Sequence, residues 1–183
     1  MRRFVWICLC SLGLCFPLAA VTPWVAVDSM AIDALWSGQL TLRAETGVRL
    51  DDGFGIRFPV SWVRRLGAYD VSMLTAGLSL DYYPFGDGLV VSFGVVEGGW
   101  FLGKDRPEEE GCLLNGLDVG YTWHVTPHWF IEPKLQVRDP SGVFSTEYGV
   151  LEDALGDYPV VRLSVLVGWE FLASASPSEP RRE

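Results

Sequence analysis

The chain has 183 residues, 49% apolar and 13% aromatic, with 14 basic against 23 acidic side chains and a formal net charge of −9. That length gives room for one folded domain, and the acidic balance excludes a nucleic-acid-handling surface, which has to be basic. Lysine is confined to Lys104 and Lys134; water-facing surfaces are usually rich in lysine and glutamate, so much of this surface is expected not to meet water.

Residues 1–20 stand apart. Met1-Arg2-Arg3 is a basic start, residues 4–18 are apolar, and Leu18-Ala19-Ala20 places a small residue before a cut. This is the pattern of a secretory signal peptide, with cleavage expected after Ala20. Gly13 and Pro17 make the apolar run marginal as a spanning helix, and Leu14 stands where lipidation of Cys15 would want a small residue. Cys8, Cys10 and Cys15 leave with the signal. Cys112 then has no intrachain partner and reads as a small strand residue rather than a reactive thiol.

From there the chain is a series of alternating segments. Residues 24–32 are expected to form a first strand, helix being the alternative for this piece, and 33–38 a loop. From Gln39, one face carries Leu40, Leu42, Ala44, Thr46, Val48 and Leu50; the other carries Arg43, Glu45, Gly47 and Arg49. A period of two over this length is a strand signal. Asp51-Asp52-Gly53 is a tight turn, followed by Phe54, Ile56, Phe58, Val60 and Trp62 opposite Gly55, Arg57 and Ser61. The hairpin of residues 73–94 repeats the pattern around Pro84-Phe85-Gly86-Asp87-Gly88, with Leu74, Ala76, Leu78, Leu80 and Tyr82 opposite Thr75, Gly77, Ser79 and Asp81, and its second strand runs to about Phe101. An acidic loop, 104–111, precedes a strand over 113–125 in which Leu117, Val119, Tyr121 and Trp123 oppose Gly116, Asp118 and Gly120. After the turn at 126–128 comes a strand over 129–138, with Glu132, Lys134 and Arg138 on its polar face. Residues 139–157 read as a long loop with room for a short strand around 144–150. The last strand sets Val161, Leu163, Val165, Val167, Trp169 and Phe171 against Arg162, Ser164, Gly168 and Glu170. The tail, 173–183, reads as a disordered end.

The expected fold class is therefore all-β: an eight-stranded antiparallel up-and-down barrel over residues 21–172. Tight turns follow strands two, four and six, and longer connections follow the others. Short turns on one rim with long loops on the other is the habit of transmembrane barrels. Alternation by itself also fits a secreted lipocalin-like ligand binder with the apolar face inside. Three features favour the membrane-spanning reading. Glycine, serine and threonine crowd the polar face, as a narrow interior requires. Charges on that face nearly cancel, with Arg43, Arg49, Arg57, Lys134, Arg138 and Arg162 against Glu45, Asp81, Asp118, Glu132 and Glu170, and an unpaired charge in a closed interior is costly. Aromatics on the apolar face gather near strand ends.

On this pattern the chain resembles the small eight-stranded outer-membrane barrels of the OmpA, OmpX and OmpW type. Residues 163–171, ending in Gly168-Trp169-Glu170-Phe171, are similar to the final-strand signal read by barrel-assembly machinery in that group, although residues continue beyond Phe171. The segment 74–94 is most similar to OmpW-type barrels. The resemblance implies the bacterial outer membrane as the location, with its lipid, periplasmic chaperones and the assembly machinery as partners. It also implies either passage of small, often hydrophobic, solutes with envelope support, or binding of a host surface ligand through the long loops.

Catalytic signals are weak. His124 and His128 are the only histidines; as strand and turn residues they share no helical face with Glu132, so metal-site spacing fails. No GxSxG, phosphate loop or zinc pattern occurs, so the expectation is a non-enzyme without cofactor or metal. The interior charges could line a conduit, but for eight strands a salt-bridged plug is favoured.

Overall fold

The computed structural model describes residues 21–29, 38–50, 53–67, 70–86, 88–108, 111–156, 158 and 160–171. The expected signal peptide, its cut after Ala20, most of the expected loop 33–38 and the tail 173–183 lie outside these residues. The strands are β1 (Thr22–Asp28), β2 (Gln39–Leu50), β3 (Phe54–Arg65), β4 (Val71–Tyr82), β5 (Leu89–Gly103), β6 (Gly111–Leu114), β7 (Gly116–Tyr121), β8 (Trp123–His124), β9 (Trp129–Arg138) and β10 (Val161–Glu170). β6, β7 and β8 are successive pieces of one wall strand, so the wall has eight. Each pairs antiparallel with its chain neighbour. β10 then pairs with β1, from Trp24↔Glu170 to Asp28↔Leu166, and closes the barrel. Both ends of the described chain thus meet at the short-turn rim, where the Phe171 N–H donates to Pro23 O.

Alternation builds the wall as expected. In β2 the odd positions from Gln39 to Arg49 point inward, and Leu42, Ala44 and Thr46 point out. The turn after β2 uses Gly53 at φ +74°, in the left-handed region that glycine enters without strain. Of the first strand expected over 24–32, residues 30–32 lie outside the described residues; β1 runs from Thr22 to Asp28, and the Asp28 carboxylate accepts from Ser164 Oγ (2.8 Å) and the Val165 N–H (3.4 Å). The side chain thus takes one backbone and one hydroxyl donor of β10 where the strand pairing stops.

Two departures change the inward set. A bulge opposite Leu78/Ser79 leaves Val95 without a partner in the register. A one-residue insertion swaps the two faces of a strand. Hence Val90 and Ser92 face in before the bulge, Gly99 and Phe101 after it, while Val95 and Val96 both face out. Second, the short strand expected around 144–150 is instead helical: α1 spans Ser145–Leu155. Tyr148, Leu151 and Leu155 recur at helical spacing, a signal the β reading of this loop passed over. Leu151 and Leu155 are fully buried against Val63, Val71, Met73, Phe101 and Leu114, which face in at the long-loop rim. The helix is tied down by Gln39 Nε2, which donates to Leu155 O (2.9 Å), and by Arg65 Nη1, which donates to Ala154 O (3.2 Å). α1 therefore caps the barrel mouth.

Candidate functional site: the barrel lumen

The inward faces converge on Arg57, 1% exposed, midway along β3 toward the short-turn end. Its Nη1 lies 2.7 Å from Glu45 on β2 and 2.8 Å from Glu132 on β9; its Nε lies 3.0 Å from Asp81 on β4. One planar guanidinium, with its fixed fork of donors, thus ties three carboxylates from three walls. Glu45 also receives Lys134 Nζ at 2.6 Å and Arg43 Nε at 2.6 Å. Lys134 and Arg43 share Asp118, at 3.1 and 3.6 Å, and so carry the network to β7. Ser92 Oγ donates to Asp81 (2.5 Å) and Thr122 Oγ1 to Glu132 (2.9 Å), so the carboxylates have neutral partners too.

The remaining expected charges form smaller groups. Toward the short-turn rim, Glu170 lies 3.7 Å from Arg49 and 3.1 Å from His124 Nε2. Arg49 also stacks over Tyr83, 4.5 Å from the ring centroid. Toward the long-loop rim Arg162 is 3.5 Å from Asp28. Arg138 is placed apart from the hub, stacked 3.8 Å over the ring of Tyr158. His128 lies outside the lumen network: its ring stacks on Trp169 at 4.9 Å, and its Nδ1 lies 3.0 Å from Glu170 O. Among the described residues, no three His, Cys, Asp or Glu side chains form a cluster able to hold a metal ion.

The lumen also holds a group that the reading by polar faces missed. Trp24, Ala26, Phe130 and Leu166 form a buried apolar cluster inside the barrel. Trp24 lies opposite Gly47 in the register, and Phe130 opposite Gly168. A Cβ on Gly47 would meet Trp24 Cζ2 at 2.7 Å, and one on Gly168 would collide with the Phe130 ring. Each glycine is the socket for an aromatic on the neighbouring strand, a pairing that also covers the bare backbone. The legible signal was a large apolar residue at an inward position beside an inward glycine. Trp24 and Phe130 meet edge to face at 5.8 Å, and the Arg57 guanidinium lies 5.0 Å from the Trp24 ring.

Above the Arg57 layer and beneath α1 lies a polar chamber of about 40 Å³, lined by residues including Arg43, Ser61, Ser79, Gln136, Tyr148 and Tyr158. A volume of this size admits on the order of three water molecules. The lumen is thus filled: aromatic pegs and charge pairs below, a small chamber above, and a helix across the mouth. Burial pushes the phenols of Tyr148 and Tyr158 up from their ordinary range.

Outside, the wall is apolar, with Leu42, Phe58, Val60, Leu80, Phe93 and Leu135 among its exposed residues. Phe54, Tyr82, Tyr121, Trp123, Trp129 and Phe171 are exposed at the short-turn rim. Trp62, Leu74 and Trp100 stand side by side in the register nearer the other rim. Leu74 and Tyr82 are eight residues apart on β4, which is about 27 Å along a strand before tilt shortens it. That matches the roughly 25 Å apolar band of transmembrane barrels.

No family model matches the chain, and no curated protein matches it. Among solved structures, it is similar to the outer membrane protein Ail of Yersinia pestis, whose backbone structure is known in a phospholipid bilayer nanodisc. The TM-score is 0.51 at 9% identity, covering 83% of this chain and 100% of that one. It also matches a major outer membrane protein of Thermus thermophilus at TM-score 0.49 and 15% identity, again covering 83% and 100%. At such identities the likeness to Ail is one of fold: the chain has the architecture of a small outer-membrane β-barrel.

Proposed function

We propose that the protein is an integral barrel of the bacterial outer membrane, exported by a signal cleaved after Ala20, and that it serves the envelope as a closed, membrane-anchored scaffold rather than as an open conduit. The observation that carries this reading is the filled lumen. Arg57, Glu45 and Glu132 bridge three walls at mid-barrel, and α1 covers the mouth, so a solute has no continuous path. The apolar wall between the aromatic short-turn rim and the level of Trp62 and Trp100 supports lipid as the surrounding medium. In this reading Gly168, Trp169 and Phe171 serve the assembly machinery, the short-turn rim faces the periplasm and its chaperones, and the loops face outward. Planar-bilayer recording and liposome swelling test the scaffold reading. The protein should partition with the outer membrane after carbonate washing, yet give no steady conductance and no uptake of small solutes. Steady conductance from the wild-type protein would restore the OmpW-type conduit.

A second reading, binding of a surface ligand through the loops, is favoured by a groove at the outer rim. Asp105, Pro107 and Glu108 of the loop after β5 face Val150, Asp153 and Ala154 of α1 across it. A chain lacking residues 104–108 should then lose cell-surface adhesion while remaining folded; unchanged adhesion would remove this reading.

A further inference from the structure

We propose that α1 is a displaceable lid: the barrel has a second state in which α1 lifts and the polar chamber opens to water at the long-loop end, while the Arg57 layer beneath stays shut. This does not rest on the scaffold reading, because it concerns one rim of the barrel whatever the protein does in the membrane.

Three observations carry it. The first is that α1 is intrinsically weak. No side chain caps its N-terminus at Phe144, its last turn has no basic residue, and Gly149 sits in its middle. Each of these removes stabilisation that helices normally use. The second is that its attachment is limited: Leu151 and Leu155 enter the barrel mouth with Tyr148, Val150 and Ala154 packed beside them, Tyr148 Oη donates to Asn115 O (2.7 Å), and the described side-chain bonds to its backbone come from Gln39 and Arg65. The wall, by contrast, is held by continuous strand pairing around a closed ring. Local opening draws on the least stabilised parts of a fold, so α1 opens before any wall strand does. The third is the chamber itself. Gln136, 2% exposed, donates through Nε2 to Asp118 (3.2 Å), but its Oε1 has no partner among the described residues. A buried amide oxygen lining a chamber of this size is suited to water, and water needs a way in. Below, the three-carboxylate grip on Arg57 bars entry. Above, the barrier is Tyr148, Tyr158 and α1. Gly142 (φ +67°) and Gly156 (φ +91°) flank the helix at the points where the chain turns, and they supply its hinges.

The test reads the chamber with a cysteine. Ser79, which lines the chamber, is replaced by Ser79→Cys in a Cys112→Ser background, and modification by a small water-soluble thiol reagent is timed in detergent micelles. Leu155→Ala removes a buried anchor of α1 and should speed labelling about tenfold or more. Gly149→Ala, whose added Cβ meets open space, strengthens the helix and should slow labelling about threefold. Barrel integrity is followed separately by heat-modified migration and the denaturant midpoint. Opposite shifts in the two variants, with Gly149→Ala leaving the midpoint in place, support the lid. Equal rates in all three proteins, or labelling that occurs only at the rate of global unfolding, would overturn it.

Discussion

Arg57 is the residue on which the interior turns. Removing it leaves Glu45, Asp81 and Glu132 without their common partner. Stripping one member from a buried ionic group typically costs about 3–5 kcal/mol. Arg57→Met should lower unfolding stability in micelles by that order, whereas Arg64→Met, at an exposed wall position of the same strand, should change it little. The aromatic pegs act through volume rather than charge. Gly168→Ala has to push the Phe130 ring aside, and overpacking of this kind costs about 1–3 kcal/mol. A double variant, Gly168→Ala with Phe130→Leu, should recover part of that loss in the same denaturant titration. Tyr83 gives a pH signature. Burial first, and the Asp81 carboxylate second, push its phenol up to about 12. A phenol whose folded value is raised favours the protonated folded state. Its contribution is complete below pH 10 and is lost as the pH climbs through about 12. Tyr83→Phe should flatten that part of the alkaline stability curve.

At the level of elements, the bulge in β5 is the most consequential local feature. Deleting Val95 would remove the extra residue, so that Gly94 and Val96 become neighbours opposite Ser79 and Leu78 and both halves keep their faces, Ser92 and Phe101 still inward. We expect this deletion to keep the heat-modifiable folded band, whereas deleting Leu80 from the regular part of β4, which does turn one half of a strand inside out, should abolish it. The bulge also marks how far alternation can be read. β2, β9 and the last strand were legible because each keeps one phase throughout. β5 changes phase on a residue, Val95, that is as good a strand former as its neighbours. Likewise the charges were legible as one group, since within each strand they alternate with the apolar residues of the opposite face. Which carboxylate meets which cation was not, because Arg57 on β3 and Glu132 on β9 face each other only once the ring is closed by β10 and β1. α1 was lost because a loop reading searches for alternation, while Tyr148, Leu151 and Leu155 recur at three and four.

For the whole molecule the question is which surface meets lipid. Leu78 lies midway between the Leu74 row and the Tyr82 row on β4, with Ser79 on the opposite face. Leu78→Arg should cost about 2–4 kcal/mol in a bilayer, the penalty for a charge near its midplane. Reversible unfolding in lipid vesicles measures it directly. A barrel that buried its apolar face would instead tolerate charge on the side of Ser79 and reject Leu78→Arg even in plain buffer. Purification as a stable monomer without detergent would show that the wall faces water.

The pegs and sockets carry a further meaning for how the ring is completed. Trp24, from the first strand, reaches across β10 to touch Phe130, and Phe130 fits only where Gly168 lies opposite. Sliding the last strand by two residues, the smallest slip that keeps its lipid face outward, would set Leu166 or Glu170 against that ring instead. The joint between the chain's two ends is therefore a keyed one, proofread by shape. The Arg162–Asp28 pair also crosses this joint, but the key is one of shape, so barrels folded in molar salt should close in the same register as barrels folded in dilute buffer.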